Sequence, residues 1–156
     1  MASPSLAAHA APDTRRPRLI IPGLAGFYDW VDPYIYPLTR FVVGATLLPI
    51  GIGKIESGMA PVIGAMAHFN LEPVGAAAFC VVVIESVGAL CIMLGFLTRF
   101  WAAAMAIEMA VITVVALWPQ GYARAEQSLI WGALALIVAL KGSGRFSIDR
   151  LIGWEL

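Results

Sequence analysis

Four stretches of mainly apolar residues, separated by short polar or glycine-containing segments, dominate the chain. They run from Leu38 to Ile55, from Pro73 to Leu97, from Phe100 to Trp118, and from Glu126 to Leu140. A helix needs about 20 residues to cross a hydrocarbon core of roughly 30 Å, and the longer stretches reach that length. The pattern therefore predicts an all-α, polytopic membrane protein: an antiparallel bundle of four transmembrane helices with interfacial segments.

The segments outside these stretches have other compositions. Residues 1–18 are rich in Ala, Pro, Ser and Arg, and we expect them to form a disordered tail. Residues 26–36 mix five aromatic residues with two aspartates, a composition typical of the headgroup layer. Residues 56–72 are predicted to form an amphipathic loop on the membrane surface. The expected domains are thus the tail 1–18, a four-span membrane domain 19–150 and a short C-terminal tail 151–156.

Composition agrees with a membrane location and excludes some classes of function. Hydrophobic residues make up 60% of the chain and charged residues only 13%, whereas soluble domains are nearer half and a quarter. The formal net charge is zero, so no nucleic-acid partner is expected. Cys80 and Cys91 lie about 16 Å apart on one predicted helix, too far for a disulfide, and we expect both to be buried.

Basic residues predict the orientation. With four spans, eight of the ten basic residues fall on one side, and only Lys54 and Arg124 fall on the other. By the positive-inside rule both termini are therefore predicted to be cytoplasmic. The eight residues are Arg15, Arg16, Arg18, Arg40, Arg99, Lys141, Arg145 and Arg150.

Two carboxylates near the middle of apolar stretches are the candidate site residues. Glu85 lies in the second stretch and Glu108 in the third, both about 13–15 Å from the predicted cytoplasmic edge. Ionisable side chains at such depth face other protein or water, and by default they indicate a functional site. Arg40 enters from the cytoplasmic end of the first span. We predict that Arg40, Glu85 and Glu108 form one buried cluster, with Arg40 paired to Glu85.

This cluster has two interpretations. In the functional one, a carboxyl exchanges a proton with the head group of a quinone, and one of the two glutamates keeps its proton at neutral pH because like charges repel. In the structural one, the cluster is an ion pair that sets the helix register and performs no chemistry. Lys54 is interpreted as a residue that reaches the membrane surface, and Arg124 and Glu126 as solvated helix ends.

Short motifs in these stretches resemble the DoxX family of small bacterial membrane proteins. They are Arg40-x-x-x-Gly44 leading to Gly53-Lys54, Glu85 followed by Leu94-Gly95-x-x-Thr98-Arg99, and Glu126 followed by Gly142-Ser-Gly144-x-x-Ser147-x-Asp149. The resemblance covers residues from about Leu38 to Asp149. It implies a four-helix membrane fold in the bacterial inner (cytoplasmic) membrane.

The resemblance implies a quinone-linked oxidoreductase subunit, because the family is named after a subunit of a thiosulfate:quinone oxidoreductase. Quinone is the cofactor that the resemblance implies. The chain has no histidine pair for haem, no cysteine cluster and no dinucleotide-binding motif, so no haem, metal or dinucleotide is expected in it. Electrons would come from a partner subunit. The alternative is a non-catalytic accessory or assembly subunit of a larger membrane complex. Membrane lipid is an expected partner, and a homo-oligomer is left open.

Overall fold

The computed structural model describes residues 20–153, so the predicted tail 1–18 and the end of the C-terminal tail, 154–156, lie outside the described residues. The chain divides between Asp32 and Pro33 into two compact units. Within the first unit, the rings of Phe27, Tyr28 and Trp30 are exposed, and the Phe27 ring contacts the other two.

Six α-helices account for most of the described chain, and residues 20–153 contain no strand. After a 3-10 turn, Pro22–Leu24, they are α1 Ala25–Ser57, α2 Met59–His68, α3 Val74–Leu94, α4 Thr98–Gln120, α5 Tyr122–Lys141 and α6 Ile148–Ile152. Of these, α1, α3, α4 and α5 are long and apolar enough to span a membrane. The predicted all-α polytopic fold with four spans is confirmed.

Two of the spanning helices contain a π-helical turn. In α3 the turn is Ile84–Gly88, between the α-helical segments Val74–Val83 and Ala89–Leu94. In α4 the α-helical segment Thr98–Val111 is followed by the π turn Ile112–Leu117 and the 3-10 turn Trp118–Gln120. Single π turns inside α-helices are frequent at functional sites.

Two of the spanning helices begin earlier than predicted. The first helix begins at Ala25, thirteen residues before the predicted Leu38, and continues through Pro33, Pro37 and Pro49. Each proline removes one backbone hydrogen bond, but an apolar environment penalises any further unpaired backbone groups, so the helix is retained. The fourth spanning helix begins at Tyr122 rather than Glu126.

The predicted surface loop 56–72 contains a helix that packs against the protein. In α2, Val62 and Met66 are buried against Ala78 and Val82 of α3. Their spacing of four residues places both on one face of α2, which is the amphipathic pattern seen in the sequence. That face contacts α3, so the pattern reports packing against another helix.

One apolar core joins the four spanning helices. Its buried members come from all of them: Val43, Leu47, Ala89, Ile92, Ala102, Met105, Met109, Ala135 and Val138. Alanine is prominent among these residues, which lets helix backbones approach closely. The opposite faces carry exposed large apolar side chains such as Ile107, Val114 and Leu140, and this surface contacts lipid.

Glycines fix the register of α1 against α3. A Cβ atom added at Gly44 would lie 2.7 Å from Met93 Cβ, and one added at Gly51 would collide with the backbone of Glu85 and Ser86. The pairs Gly44–Met93 and Gly51–Glu85 run in opposite directions along the two helices, so α1 and α3 are antiparallel. This register decides which charges of α1 can meet Glu85.

Candidate functional site

Arg40 lies near the middle of α1, about three turns before the residues of α1 that contact Glu85. Its terminal nitrogens Nη1 and Nη2 donate hydrogen bonds to the backbone carbonyls of Ser143 and Phe146, in the segment after α5. Gly51, which contacts Glu85, is eleven residues further along α1, or about 16 Å. The predicted pairing of Arg40 with Glu85 is therefore wrong, because the helix register separates the two side chains.

Arg40 belongs instead to a group of buried polar residues that we call the helix-end cluster: Arg40, Gly95, Thr98, Ser147 and Asp149. The Asp149 carboxylate accepts hydrogen bonds from the backbone N–H groups of Leu97 (2.7 Å) and Thr98 (3.0 Å) and from the Thr98 hydroxyl (2.8 Å). It thereby caps the start of α4. Ser147 caps α6 by accepting from the Arg150 N–H at 3.2 Å.

Gly95 is required where the helix-end cluster is most crowded. Its φ of 75° lies in the left-handed region, and an added Cβ would lie 2.6 Å from both Arg40 Nη1 and Ser147 Cβ. Only glycine combines that conformation with that space. The segments carrying Arg40, Gly95 and Asp149 therefore meet at one end of the bundle and hold α1, α4 and the C-terminal segment together.

Glu85 pairs with Lys54. Glu85 is 3% exposed, lies in the π turn of α3 and contacts the Lys54 ammonium through Oε2. No aligned hydrogen-bond donor reaches this oxygen among the described residues, so the contact is an ion pair. Lys54 lies three residues after Gly51, where α1 and α3 approach closely. The interpretation of Lys54 as a surface-reaching residue is therefore wrong.

Glu108 is buried, and the described part of the chain gives its carboxyl group no hydrogen-bond partner. It is 7% exposed, and within residues 20–153 neither of its carboxyl oxygens has a hydrogen-bond partner. Glu85 and Lys54 both lie within electrostatic range of its carboxyl group. The expected proximity of the two glutamates is thus found, with Lys54 as the third member. We call Lys54, Glu85 and Glu108 the carboxyl site.

A mainly apolar cavity of about 540 Å³, the Glu108 cavity, lies between α3 and α4 beside α2. Glu108, Asn70 and Glu72 are its polar lining residues. The exposed Cys80 and Ile107 also line it, so the cavity opens at the protein surface. Cys80 was expected to be buried, and the cavity explains why it is not. Small-molecule sites typically have this size and this ratio of apolar to polar lining.

A smaller cavity of about 230 Å³, the Lys54 cavity, lies on the other side of the carboxyl site. Lys54, Glu85, Arg124, Gln127 and Ser128 are its polar lining residues. Arg124 and Gln127 are exposed, so this cavity also reaches the surface. Arg124 was interpreted as a solvated helix end; it is exposed, and it also lines this cavity together with Lys54.

Lys54 was recognisable from the sequence by depth. Counted from Arg40, Lys54 is fourteen residues or about 21 Å along the first helix, and Glu85 is about 15 Å from the same end. A lysine side chain can bridge the difference of about 6 Å between Lys54 and Glu85. Arg40 is the starting point of the count, so about 15 Å separate it from the depth of Glu85. The Glu108 cavity gave no such signal, because it depends on the contact of α2 with α3.

The basic residues group by end as the sequence predicts. Arg99 donates to the Leu140 carbonyl at 3.1 Å, Lys141 lies over the Tyr36 ring, and Arg40 binds the segment after α5. Lys54 and Arg124 share the cavity at the other end. The structure thus separates the described basic residues into the two predicted groups.

These features define a multi-pass, all-α membrane protein with a buried cationic and carboxylic site beside two cavities. The DoxX family model matches residues 36–118, more than half of the chain, and the chain belongs to the DoxX family. The matched region holds all three members of the carboxyl site. No curated protein and no solved structure matches the chain.

Proposed function

We propose that the protein is an inner-membrane subunit of a quinone-linked oxidoreductase and that the Glu108 cavity holds the quinone head group. The observation that carries this proposal is a buried carboxyl in the wall of a cavity of about 540 Å³, with no hydrogen-bond partner among residues 20–153. Buried polar groups in proteins are nearly always hydrogen-bonded, so an unpartnered one that faces a cavity suits a ligand with a complementary polar atom.

The residues of the cavity fit a quinone. The head group of a quinone is a flat, apolar ring whose carbonyl oxygens only accept hydrogen bonds. Apolar side chains of α2, α3 and α4 supply the surface for the ring, and Glu108 in its acid form can donate to a carbonyl. Cys80 and Ile107 lie on lipid-facing surfaces, so a membrane-dissolved ligand can enter between α3 and α4 without crossing water.

A bound quinone supplies a two-electron, two-proton acceptor, and electrons reach it from a partner subunit. The residues of this chain position the head group, keep water away from it and hold a proton at the Glu108 carboxyl. Glu108 surrenders that proton to an oxygen of the ligand, acting as a general acid. Arg40, predicted as a third site residue, contributes through the helix-end cluster by holding α1 and α4 in place.

Binding of a short-tail benzoquinone to the purified protein in lipid nanodiscs tests the proposal. Ala104→Phe fills the Glu108 cavity without altering Glu108, and we expect it to abolish binding. Ala133→Phe adds the same bulk at an α5 position outside this cavity, and we expect normal binding. Glu108→Leu should weaken binding about tenfold through loss of one hydrogen bond to the carbonyl. Equal binding by both Phe variants, or none by the wild type, would exclude the cavity as a quinone site.

The proposed orientation places the helix-end cluster, and both termini, on the cytoplasmic side. It rests on the grouping of basic residues at that end. Single cysteines at positions 5 and 57, in a background without Cys80 and Cys91, are to be labelled with an impermeant reagent in intact cells. We expect labelling at position 57 only; labelling at position 5 alone would reverse the orientation.

A second candidate function is an accessory or assembly subunit without chemistry. The helix-end cluster favours it, because Arg40, Gly95 and Asp149 make only structural contacts. Purification in mild detergent separates the candidates: a redox subunit and bound quinone that purify together with the chain support the oxidoreductase. A larger complex without quinone, whose activity is unchanged by Glu108→Gln and Glu85→Gln, supports the accessory subunit.

A further inference from the structure

The two cavities share one wall, which contains the carboxyl site. Ile112 of α4 lines both cavities. On α3, Ile84 lines the Glu108 cavity and the next residue, Glu85, lines the Lys54 cavity. The same alternation occurs on α4, where Glu108 faces one cavity and Met109 the other. The barrier between the cavities is therefore about one side chain thick at this place.

Charged groups lie on both sides of this wall. Glu85 and Lys54 act electrostatically on the Glu108 carboxyl. Glu72 lies among the residues that line the Glu108 cavity, where its Oε2 accepts from the Val74 N–H at 3.2 Å. Arg124 lies in the Lys54 cavity. Arg124, Lys54 and Glu85 thus line one cavity, Lys54 and Glu85 are paired, and Glu108 lies on the other side of the wall.

A ligand in the Glu108 cavity covers the side from which water would otherwise reach Glu108. Acyl chains that enter the same lipid-facing opening have the same effect. A carboxyl that donates a proton to a ligand must regain one before the next turnover, so the proton has to arrive from the other side of the wall. The Lys54 cavity, with exposed Arg124 and Gln127, is the described route on that side.

We propose that the Lys54–Glu85 pair resupplies the proton that Glu108 surrenders, with the Lys54 cavity as the entry for water. This inference rests on the proposed role of Glu108 as the proton donor. In the first step an N–H bond of the Lys54 ammonium breaks and an O–H bond forms on Glu85. In the second step that O–H bond breaks and one forms on Glu108. The neutral Lys54 amine then takes a proton from a hydronium ion that reaches the cavity from the surface; the hydronium becomes water, and the ion pair is restored.

Lysine is suited to this role and arginine is not. A lysine that is partly desolvated can give up its proton, whereas a guanidinium stays charged in proteins. Lys54 has a side chain 28% exposed and Glu85 one 4% exposed, so the lysine can contact cavity water while Glu85 stays inside the wall. Lys54→Arg keeps the positive charge and the ion pair but removes the transferable proton. It therefore separates a proton-carrying role from a structural one.

Hydrogen–deuterium exchange of the Glu108 carboxyl tests the proposal without any quinone. The full-length protein in lipid nanodiscs is transferred to deuterated buffer, and the infrared carbonyl band of the acid form is followed; its absence from Glu108→Gln assigns it. We expect Lys54→Arg to slow the exchange about a hundredfold, the lower end of what a positioned acid or base contributes. Thermal unfolding and benzoquinone binding of this variant should stay at wild-type values.

Glu72→Gln is the matched control, because it changes a carboxyl on the other cavity and should leave the exchange rate unchanged. Unchanged exchange in Lys54→Arg, or equal slowing by Glu72→Gln, would show that protons enter through the Glu108 cavity. Absence of a Glu108 acid band would also overturn the proposal. Because none of these measurements uses quinone, the proton route can fail while quinone binding holds, and the reverse.

Discussion

The helix-end cluster and the carboxyl site both bury charged side chains, but they satisfy them differently. In the helix-end cluster, Asp149 accepts three hydrogen bonds, and both terminal nitrogens of Arg40 donate to carbonyls; only Arg40 Nε has no partner among the described residues. In the carboxyl site, Glu108 has no protein hydrogen bond within residues 20–153, and Glu85 has one ion pair. The carboxyl oxygens of this site can therefore bind other molecules, and the two cavities beside it give access to them.

This difference in hydrogen bonding distinguishes residues that stabilise the bundle from residues that are available for binding or chemistry. A buried charge without hydrogen bonds costs folding free energy, so its retention indicates a use other than folding. A fully bonded charge contributes to the fold and has no free atom for a ligand. On this basis the helix-end cluster is structural and the carboxyl site functional. The following substitutions test that division, in order of decreasing effect on stability.

Arg40→Leu should have the largest effect. It removes the donors to the Ser143 and Phe146 carbonyls and the electrostatic attraction between Arg40 and buried Asp149. We expect a loss of about 3–5 kcal/mol in the free energy of unfolding, measured by tryptophan fluorescence in detergent. Arg40→Leu and Glu85→Leu should be additive within about 0.5 kcal/mol, because the sites are far apart. A double variant more stable than additivity predicts would instead indicate a direct interaction between Arg40 and Glu85.

Gly51→Ala should have the next largest effect. Its methyl group would collide with the backbone of Glu85 and push α1 away from α3, at a cost of about 1–3 kcal/mol. Gly53→Ala, two residues away with nothing within 4 Å of the added atom, is the matched control. We expect the control to raise the unfolding free energy by about 0.4–1 kcal/mol. Similar values for both variants would contradict the close contact at Gly51.

The Lys54–Glu85 pair should show a smaller coupling. Lys54→Met leaves a buried carboxylate unpaired, and the double variant with Glu85→Leu removes that penalty. We expect a coupling of about 1–2 kcal/mol in a double-mutant cycle, reduced from fully buried pairs because Lys54 is partly exposed. The same cycle with Arg124→Met in place of Lys54→Met is the control and should give no coupling. A coupling energy of zero in the Lys54–Glu85 cycle would contradict an ion pair between the two residues.

Glu108→Leu should have the smallest effect and the opposite sign. Replacing an unpartnered buried carboxyl by an apolar side chain should raise the free energy of unfolding by about 1 kcal/mol. Exposed Glu126→Leu is the control and should change it little. A destabilisation as large as that of Arg40→Leu would show that Glu108 belongs to the structural group. Together with weaker benzoquinone binding, a stabilised Glu108→Leu would be an exchange of function for stability.

Much of the fold was determined by the sequence alone. Four apolar stretches, the longer ones of membrane-spanning length, favour helices, because a helix satisfies its own backbone groups and lipid offers no partner for them. Glu85 and Glu108 stood out for the same reason, since an ionisable residue in such a stretch is rare. The depth of both, and the sorting of basic residues to two ends, also followed from counting residues along helices. The prolines obscured the start of α1. Each proline removes a hydrogen bond at its own position, whereas the stability of a continuous helix comes from the hydrogen bonds along its whole length.

Only the tertiary structure decided which charges meet. Arg40 and Lys54 lie on the same helix, and the choice between them as the partner of Glu85 depends on the register set by Gly44 and Gly51 against α3. The Glu108 cavity likewise requires α2 to pack against α3, and the π turns at Ile84–Gly88 and Ile112–Leu117 have no sequence signature. Periodicity within one helix states which face is polar, but contacts between helices depend on how closely two backbones approach, and that is a property of the packed bundle.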